Sequence, residues 1–279
     1  MSPPSRLDND QIVFIGTGGG RMTTAFQARA TGGFWVCLDG VWICVDPGPG
    51  ALAHARGRAL GLDPGVLDAI VVTHKHLDHS GDVNAMIEAM TQGGTKKRGR
   101  VLAPQDAYDE DPVILRYVRS YPASTEYLVP GGRYVMGGDG GPVLETPLRL
   151  KHPVETYGLR FVGRRFTVGL VACTGYMPEI ETALSADLVI LNVVYREPRD
   201  EIHLALPDAR RIIATMRPRL AILTHFGLTM LRARPWELAE TLSRETGVRV
   251  LAARDRWRLD LEAELGGGAS PGPRPSMDR

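Results

Sequence analysis

The run His74-Lys75-His76-Leu77-Asp78-His79 places three imidazoles and a carboxylate within six residues. Three of the chain's seven histidines sit in it. In extended backbone, residues two apart point the same way, so His74 and His76 can share one cation. Asp78 and His79 lie past a bend and can serve a second. Imidazole suits zinc, and a carboxylate completes a charged site without redox chemistry. A metal held there lowers the pKa of bound water from 15.7 toward about 7, which supplies hydroxide for hydrolysis at neutral pH. The competing reading is a solvated histidine-rich loop. Four potential ligands packed directly behind a strand argue against it.

The surrounding elements follow from pattern. Ala69-Ile70-Val71-Val72-Thr73 reads as a buried strand that delivers the chain into His74. An earlier strand, Ile12-Val13-Phe14-Ile15, runs into the glycine loop Gly16–Gly20. Phe34–Leu38 and Val41–Val45 flank Asp39-Gly40, a strong hairpin signal, and the second run ends at the breaker Asp46-Pro47-Gly48-Pro49-Gly50. Val83, Met86, Ile87 and Met90 form a helical apolar stripe, as do Ala209, Ile212, Ile213 and Met216 behind Pro207. Further strands are expected at 101–103, 159–162, 166–172, 187–194, 220–224 and 248–252. These patterns predict α/β architecture in a single domain over residues 11–262, after a flexible N-terminus (1–10) and before a disordered Gly/Pro/Ser-rich tail (263–279).

The remaining histidines extend the pattern. The run resembles the HxHxDH signature of the metallo-β-lactamase superfamily, and the rest of the chain follows that superfamily's motif order from about residue 12 to 260. Gly16–Gly20 is similar to its opening loop, and Asp46-Pro47-Gly48 to the acidic turn that supports the metal ligands from behind. The stretch His152-Pro153-Val154-Glu155-Thr156-Tyr157-Gly158-Leu159-Arg160-Phe161 is similar to the third metal motif of the ribonuclease Z-like phosphodiesterase branch. His225, closing Leu220-Ala221-Ile222-Leu223-Thr224, resembles the last metal ligand. His203, before Leu204-Ala205-Leu206-Pro207, stands where that branch carries a histidine ahead of a helix.

The resemblance implies an αββα sandwich of two mixed sheets flanked by helices. It implies two zinc ions, one on His74, His76 and His152 and the other on Asp78, His79 and His225. Asp78 would also orient the nucleophile or take its proton, and His203 would protonate the leaving oxygen. One position departs from the pattern. Where most two-metal members carry a bridging aspartate after a late strand, residues 166–172 run into Cys173. A thiolate preserves the charge and favours zinc over manganese or magnesium. Some β-lactam-hydrolysing members likewise place a cysteine at their second metal.

The substrate expectation follows. The His152 and His203 segments favour a phosphodiester. A formal charge of +1 and only a short connection between Phe161 and Cys173 argue against a nucleic-acid polymer and for a small nucleotide-type diester. Lys96-Lys97-Arg98-Gly99-Arg100, in the loop 91–100, reads more simply as a solvated charge run than as a phosphate contact. Cys173 also leaves open an ester, lactone or β-lactam hydrolase, or a non-catalytic metal- or nucleotide-binding protein. With 43% hydrophobic and 23% charged residues, the composition is that of a soluble globular protein. No apolar run approaches the roughly 20 residues of a membrane span. The N-terminus has no signal-like apolar core, so a cytoplasmic protein is expected, and the resemblance implies a homodimer. Cys37 and Cys44 read as buried small hydrophobes that could face each other across the hairpin.

Overall fold

The computed structural model describes residues 9–109 and 111–266. The first sheet contains β1 (Gln11–Phe14), β2 (Phe34–Leu38), β3 (Val41–Val45), β4 (Ala69–Val71), β5 (Arg100–Ala103) and β6 (Ser124–Tyr127). The chain then changes sheets. β7 (Gly132–Val135), β8 (Val143–Arg149), β9 (Tyr157–Val162), β10 (Thr167–Val171), β11 (Leu188–Tyr195), β12 (Leu204–Ala205), β13 (Leu220–Thr224) and β14 (Val250–Ala252) build the second sheet. β15 (Trp257–Asp260) returns to the first, beside β1. Both sheets are mixed. β3 to β6 run parallel in one, and β10, β11, β13 and β14 run parallel in the other. The carboxyl ends of these two parallel sets carry the residues that matter.

Helices flank both sheets. α1 (Arg21–Ala25), α2 (Ala51–Arg56), α3 (Leu77–Ser80) and α4 (Val83–Thr91) belong to the first half, and α5 (Ile180–Ala183), α6 (Leu206–Met216), α7 (Leu228–Arg232) and α8 (Pro235–Thr246) to the second. Period-two alternation explains the layering. Ile12 and Phe14 face the second sheet in one core, while Val13 and Ile15 face α2 and α4 in another. Every residue of β1, β2 and β3 is buried, which is why those strands read as continuous apolar runs.

The Asp39-Gly40 turn has positive φ at both residues (52° and 78°), as a type I′ hairpin requires. It sets a register that pairs Cys37 with Trp42 and Trp35 with Cys44, so the two cysteines do not oppose each other. Both are buried, and neither forms a disulfide among the described residues. The loop 91–100 is shorter than its sequence suggests, because Thr91 closes α4 and Arg100 opens β5. Arg100 is ion-paired to Glu126 at 2.6 Å, and Arg98 donates to the Leu67 carbonyl at 3.0 Å.

The expected tail boundary at 263 needs correcting. α9 (Leu261–Leu265) is capped by the Asp260 side chain and buries Leu261 and Leu265, so residues 263–265 belong to the folded unit. The rest of the expected tail, and residues 1–8 of the expected flexible N-terminus, lie outside the described residues. No helix among the described residues is long and apolar enough to cross a membrane.

Candidate metal centre

β4 carries the chain into Thr73 and the buried His74. His74 Nδ1 lies 3.0 Å from the Thr73 hydroxyl, and its Nε2 is buried without a hydrogen-bond partner. A buried nitrogen left so costs on the order of 1–3 kcal/mol, which a bound cation would remove. His76 Nδ1 and His152 Nε2 are 3.1 Å apart, and with His74 they form a group whose ligand atoms all lie within 4.8 Å of one another. The other His152 nitrogen faces the Ile202 carbonyl at 3.0 Å. Nδ1 therefore donates there, and the Nε2 lone pair turns to the cluster. Burial holds His74 well below its ordinary pKa, lowers His76, and brings His152 down to about 4. All three imidazoles are neutral at pH 7, the form that binds metal.

Asp78, His79 and His225 make a second such group. The Nε2 atoms of His79 and His225 are 3.2 Å apart, and Asp78 Oδ2 lies 3.8 and 3.5 Å from them. Cys173, one residue beyond the expected strand, has its sulfur 3.4 Å from His79 Nε2 and belongs to a third group with His74 and His79. It thus sits between the two clusters. Asn192 Nδ2 approaches the same sulfur at 3.7 Å. Burial pushes the Cys173 thiol up and drives His225 down to about 3. Burial also works against charge on His79 and Asp78. The Cys173 sulfur and the Asp46 and Asp78 carboxylates nonetheless raise His79, and His79 and His225 hold Asp78 at about 2.

Nitrogen, oxygen and thiol donors packed this closely around an orphaned nitrogen fit divalent metal. Because ligands must give up protons to bind a cation, zinc titration at pH 7 is expected to release protons, read by calorimetry in buffers of different ionisation enthalpy. Release near zero would contradict a protonated cluster.

Asp46, held at a φ of 51°, organises both clusters from behind. It accepts from the Thr73 backbone N–H at 2.7 Å and the Thr73 hydroxyl at 2.8 Å, and pairs with His79 Nδ1 at 2.8 Å. The glycine loop has two distinct contacts. Gly20 N–H donates to Asp78 Oδ2 at 2.9 Å. Gly19 leaves room for His225: a methyl group there would lie 2.2 Å from the imidazole ring. Gly19→Ala is therefore expected to displace His225 and cut metal content while the circular dichroism stays native. Full metal content in that variant would overturn this.

His203 lies beside the first cluster, its ring 5.3 Å from that of His152. Asp200 accepts its backbone N–H at 2.9 Å and sits 3.1 Å from its Nδ1. The structure thus brings together all eight sequence-identified residues: His74, His76, Asp78, His79, His152, Cys173, His203 and His225. Sequence reasoning missed Thr73, Asn192 and Asp200. It also missed Asp255, which accepts from Thr17 and Ala30 and anchors the glycine loop.

Similarity to known proteins agrees with this geometry. A β-lactamase superfamily domain matches residues 41–226. The chain is 33% identical over 269 residues to an uncharacterised protein of Methanocaldococcus jannaschii, covering 91% of this chain and 95% of that one. It is 30% identical over 158 residues to ribonuclease Z of Thermobifida fusca, covering 55% of this chain and 47% of the relative. The metallo-β-lactamase fold protein YhfI from Bacillus subtilis has a TM-score of 0.73 at 22% identity, over 90% of this chain and 99% of its own. A diphosphatase from the PhnP family has a TM-score of 0.63 at 19% identity, over 90% and 96%. The two structural likenesses show the fold. The family match, spanning two thirds of the chain, shows more: the chain belongs to the β-lactamase superfamily, with the metallo-β-lactamase fold.

Proposed function

We propose that the protein is a zinc-dependent phosphodiesterase acting on a small nucleotide-type diester. The observation that carries this reading is His203, placed against His152 with its Nδ1 taken by Asp200. That leaves Nε2 as the nitrogen that meets the substrate, as a general acid for an alkoxide leaving group requires. His74, His76 and His152 would hold one ion, and Asp78, His79, His225 and Cys173 the other. When bound, zinc lowers the pKa of water and polarises the phosphoryl oxygen. Asp78, fixed by the Gly20 N–H, orients the nucleophile or takes its proton. The likeness to ribonuclease Z supports phosphodiester chemistry, and the likeness to a diphosphatase supports a small substrate. β9 and β10 are joined by a tight turn closed from Gly163 N–H to the Phe166 carbonyl at 3.0 Å, which favours a small ligand over a polymer. A homodimer and cytoplasmic residence belong to the same reading.

Zinc-loaded protein should turn over bis(p-nitrophenyl) phosphate and leave a chromogenic cephalosporin intact. The reverse pattern would favour the ester, lactone or β-lactam reading suggested by Cys173. No turnover of either at full zinc occupancy would favour a non-catalytic binder. His203→Ala is expected to slow cleavage of an alkyl phosphodiester by roughly 10²–10⁴-fold. It should slow the p-nitrophenyl ester far less, because that leaving group needs no proton. Equal losses on both would remove the general-acid role.

A further inference from the structure

Near His203 the surface holds a second, open cavity of about 390 Å³. Arg196, Arg199 and Arg232 line it together with Tyr195, Thr229 and Glu197. Three guanidiniums there face one carboxylate, an excess of two positive charges. Glu197 is paired to Arg196 at 3.6 Å, and both side chains are exposed. Arg199 lies over the Tyr195 ring at 5.8 Å. Arg232, in the last turn of α7, has no acid partner among the described residues. The Arg196 backbone N–H donates to the Thr229 hydroxyl oxygen at 3.3 Å, which leaves that hydroxyl its own hydrogen to give.

Tyr195, which lines this cavity, connects it to the metal centre through His203. Its ring stands 5.7 Å from His203, which in turn stands 5.3 Å from His152. The cationic cavity is therefore two ring contacts from a candidate metal ligand. Asp200 lies nearby, bonded to His203 and to the Tyr195 hydroxyl, and its carboxylate offsets one of the cavity's excess positive charges, which leaves a net excess of one.

We propose that this cavity binds a phosphomonoester dianion carried by the substrate, adjacent to the phosphodiester that is cleaved. The proposal rests on the phosphodiesterase reading. Guanidinium forks match phosphate oxygens in charge and in bidentate geometry, and such contacts are among the strongest hydrogen bonds proteins make. The preferred substrate class is then a nucleotide diester with a second, terminal phosphate.

Two probes differing only in that group test it: the p-nitrophenyl ester of thymidine 5′-monophosphate, and the same ester bearing a 3′-phosphate. Zinc-loaded protein is expected to show a KM roughly tenfold lower for the bisphosphate, an effect of the size one or two charge-assisted contacts supply. In the double variant Arg199→Gln/Arg232→Gln the ratio of the two KM values should fall to about one. Calorimetry provides the second arm, comparing thymidine 3′,5′-bisphosphate with thymidine 5′-monophosphate on both proteins. The same gap should appear in the wild type and close in the variant. If neither ester is cleaved but the calorimetric gap appears and closes, the phosphodiesterase reading fails and the anion site stands. No gap in the wild type, or a gap that survives in the variant, overturns the proposal.

Discussion

Asp46→Ala is expected to lower the stability of the metal-free protein by several kcal/mol and to weaken metal binding at both clusters by roughly 10–100-fold. Three groups lose their acceptor at once: the Thr73 N–H, the Thr73 hydroxyl and His79 Nδ1. All are buried, and each unsatisfied buried donor costs about 1–3 kcal/mol against a total stability of about 5–15 kcal/mol. The effect reaches both clusters by different routes. The Thr73 hydroxyl orients His74, and the carboxylate fixes which nitrogen of His79 points forward. Asp46→Asn separates the two losses, because it keeps the shape and offers one oxygen to the Thr73 N–H. It should recover part of the thermal stability without restoring zinc affinity. Zinc-binding calorimetry and thermal melts of both variants check this, and wild-type zinc affinity in Asp46→Ala would refute the role.

Cys173→Ala is expected to weaken zinc binding by more than the roughly 10–100-fold that losing a supporting residue costs. Its sulfur lies 3.4 Å from His79 Nε2 and shares a ligand group with His74, so it touches both clusters. Cys173→Asp preserves the negative charge while replacing a soft donor with a hard one. Preference should shift from zinc toward manganese, with the metal count retained. Cobalt-loaded wild type should show a sulfur-to-cobalt charge-transfer band that is missing in both variants. Unchanged zinc content in Cys173→Ala, together with no such band in the wild type, would reduce Cys173 to a buried inert thiol.

How much of this the sequence reveals depends on distance along the chain. His74 to His79 are legible because their spacing is local, and Cys173 because it interrupts an expected order. His152 and His225 carry little signal alone and become readable only in sequence with the run. Thr73, Asn192 and Asp200 are invisible for a physical reason. They are common polar residues whose roles arise from partners that only folding brings close, as Asn192 meets Cys173. The fold divides similarly. β1 to β4, β10, β11 and β13 are almost wholly buried and read as apolar runs, whereas the two-residue β12 does not. β6 and β7 alternate half-buried and exposed residues, β8 is mixed, and β15 begins with a tryptophan and an arginine, so none stands out from loop. Composition alone puts the tail boundary too early, because the Gly/Pro-rich stretch masks the short helix that buries Leu261 and Leu265.

The donors come from both halves of the sandwich. His74, His76, Asp78 and His79 follow β4 of the first sheet; His152, Cys173 and His225 follow β8, β10 and β13 of the second. Neither half holds a complete set, so an ion bound here stitches the sheets together, and its binding energy becomes resistance to their parting. At a free metal concentration 100 times the dissociation constant, that linkage is worth about 2.7 kcal/mol per ion. Resistance to proteolysis is therefore expected to rise with free metal concentration, on top of what the apolar core between the sheets already supplies.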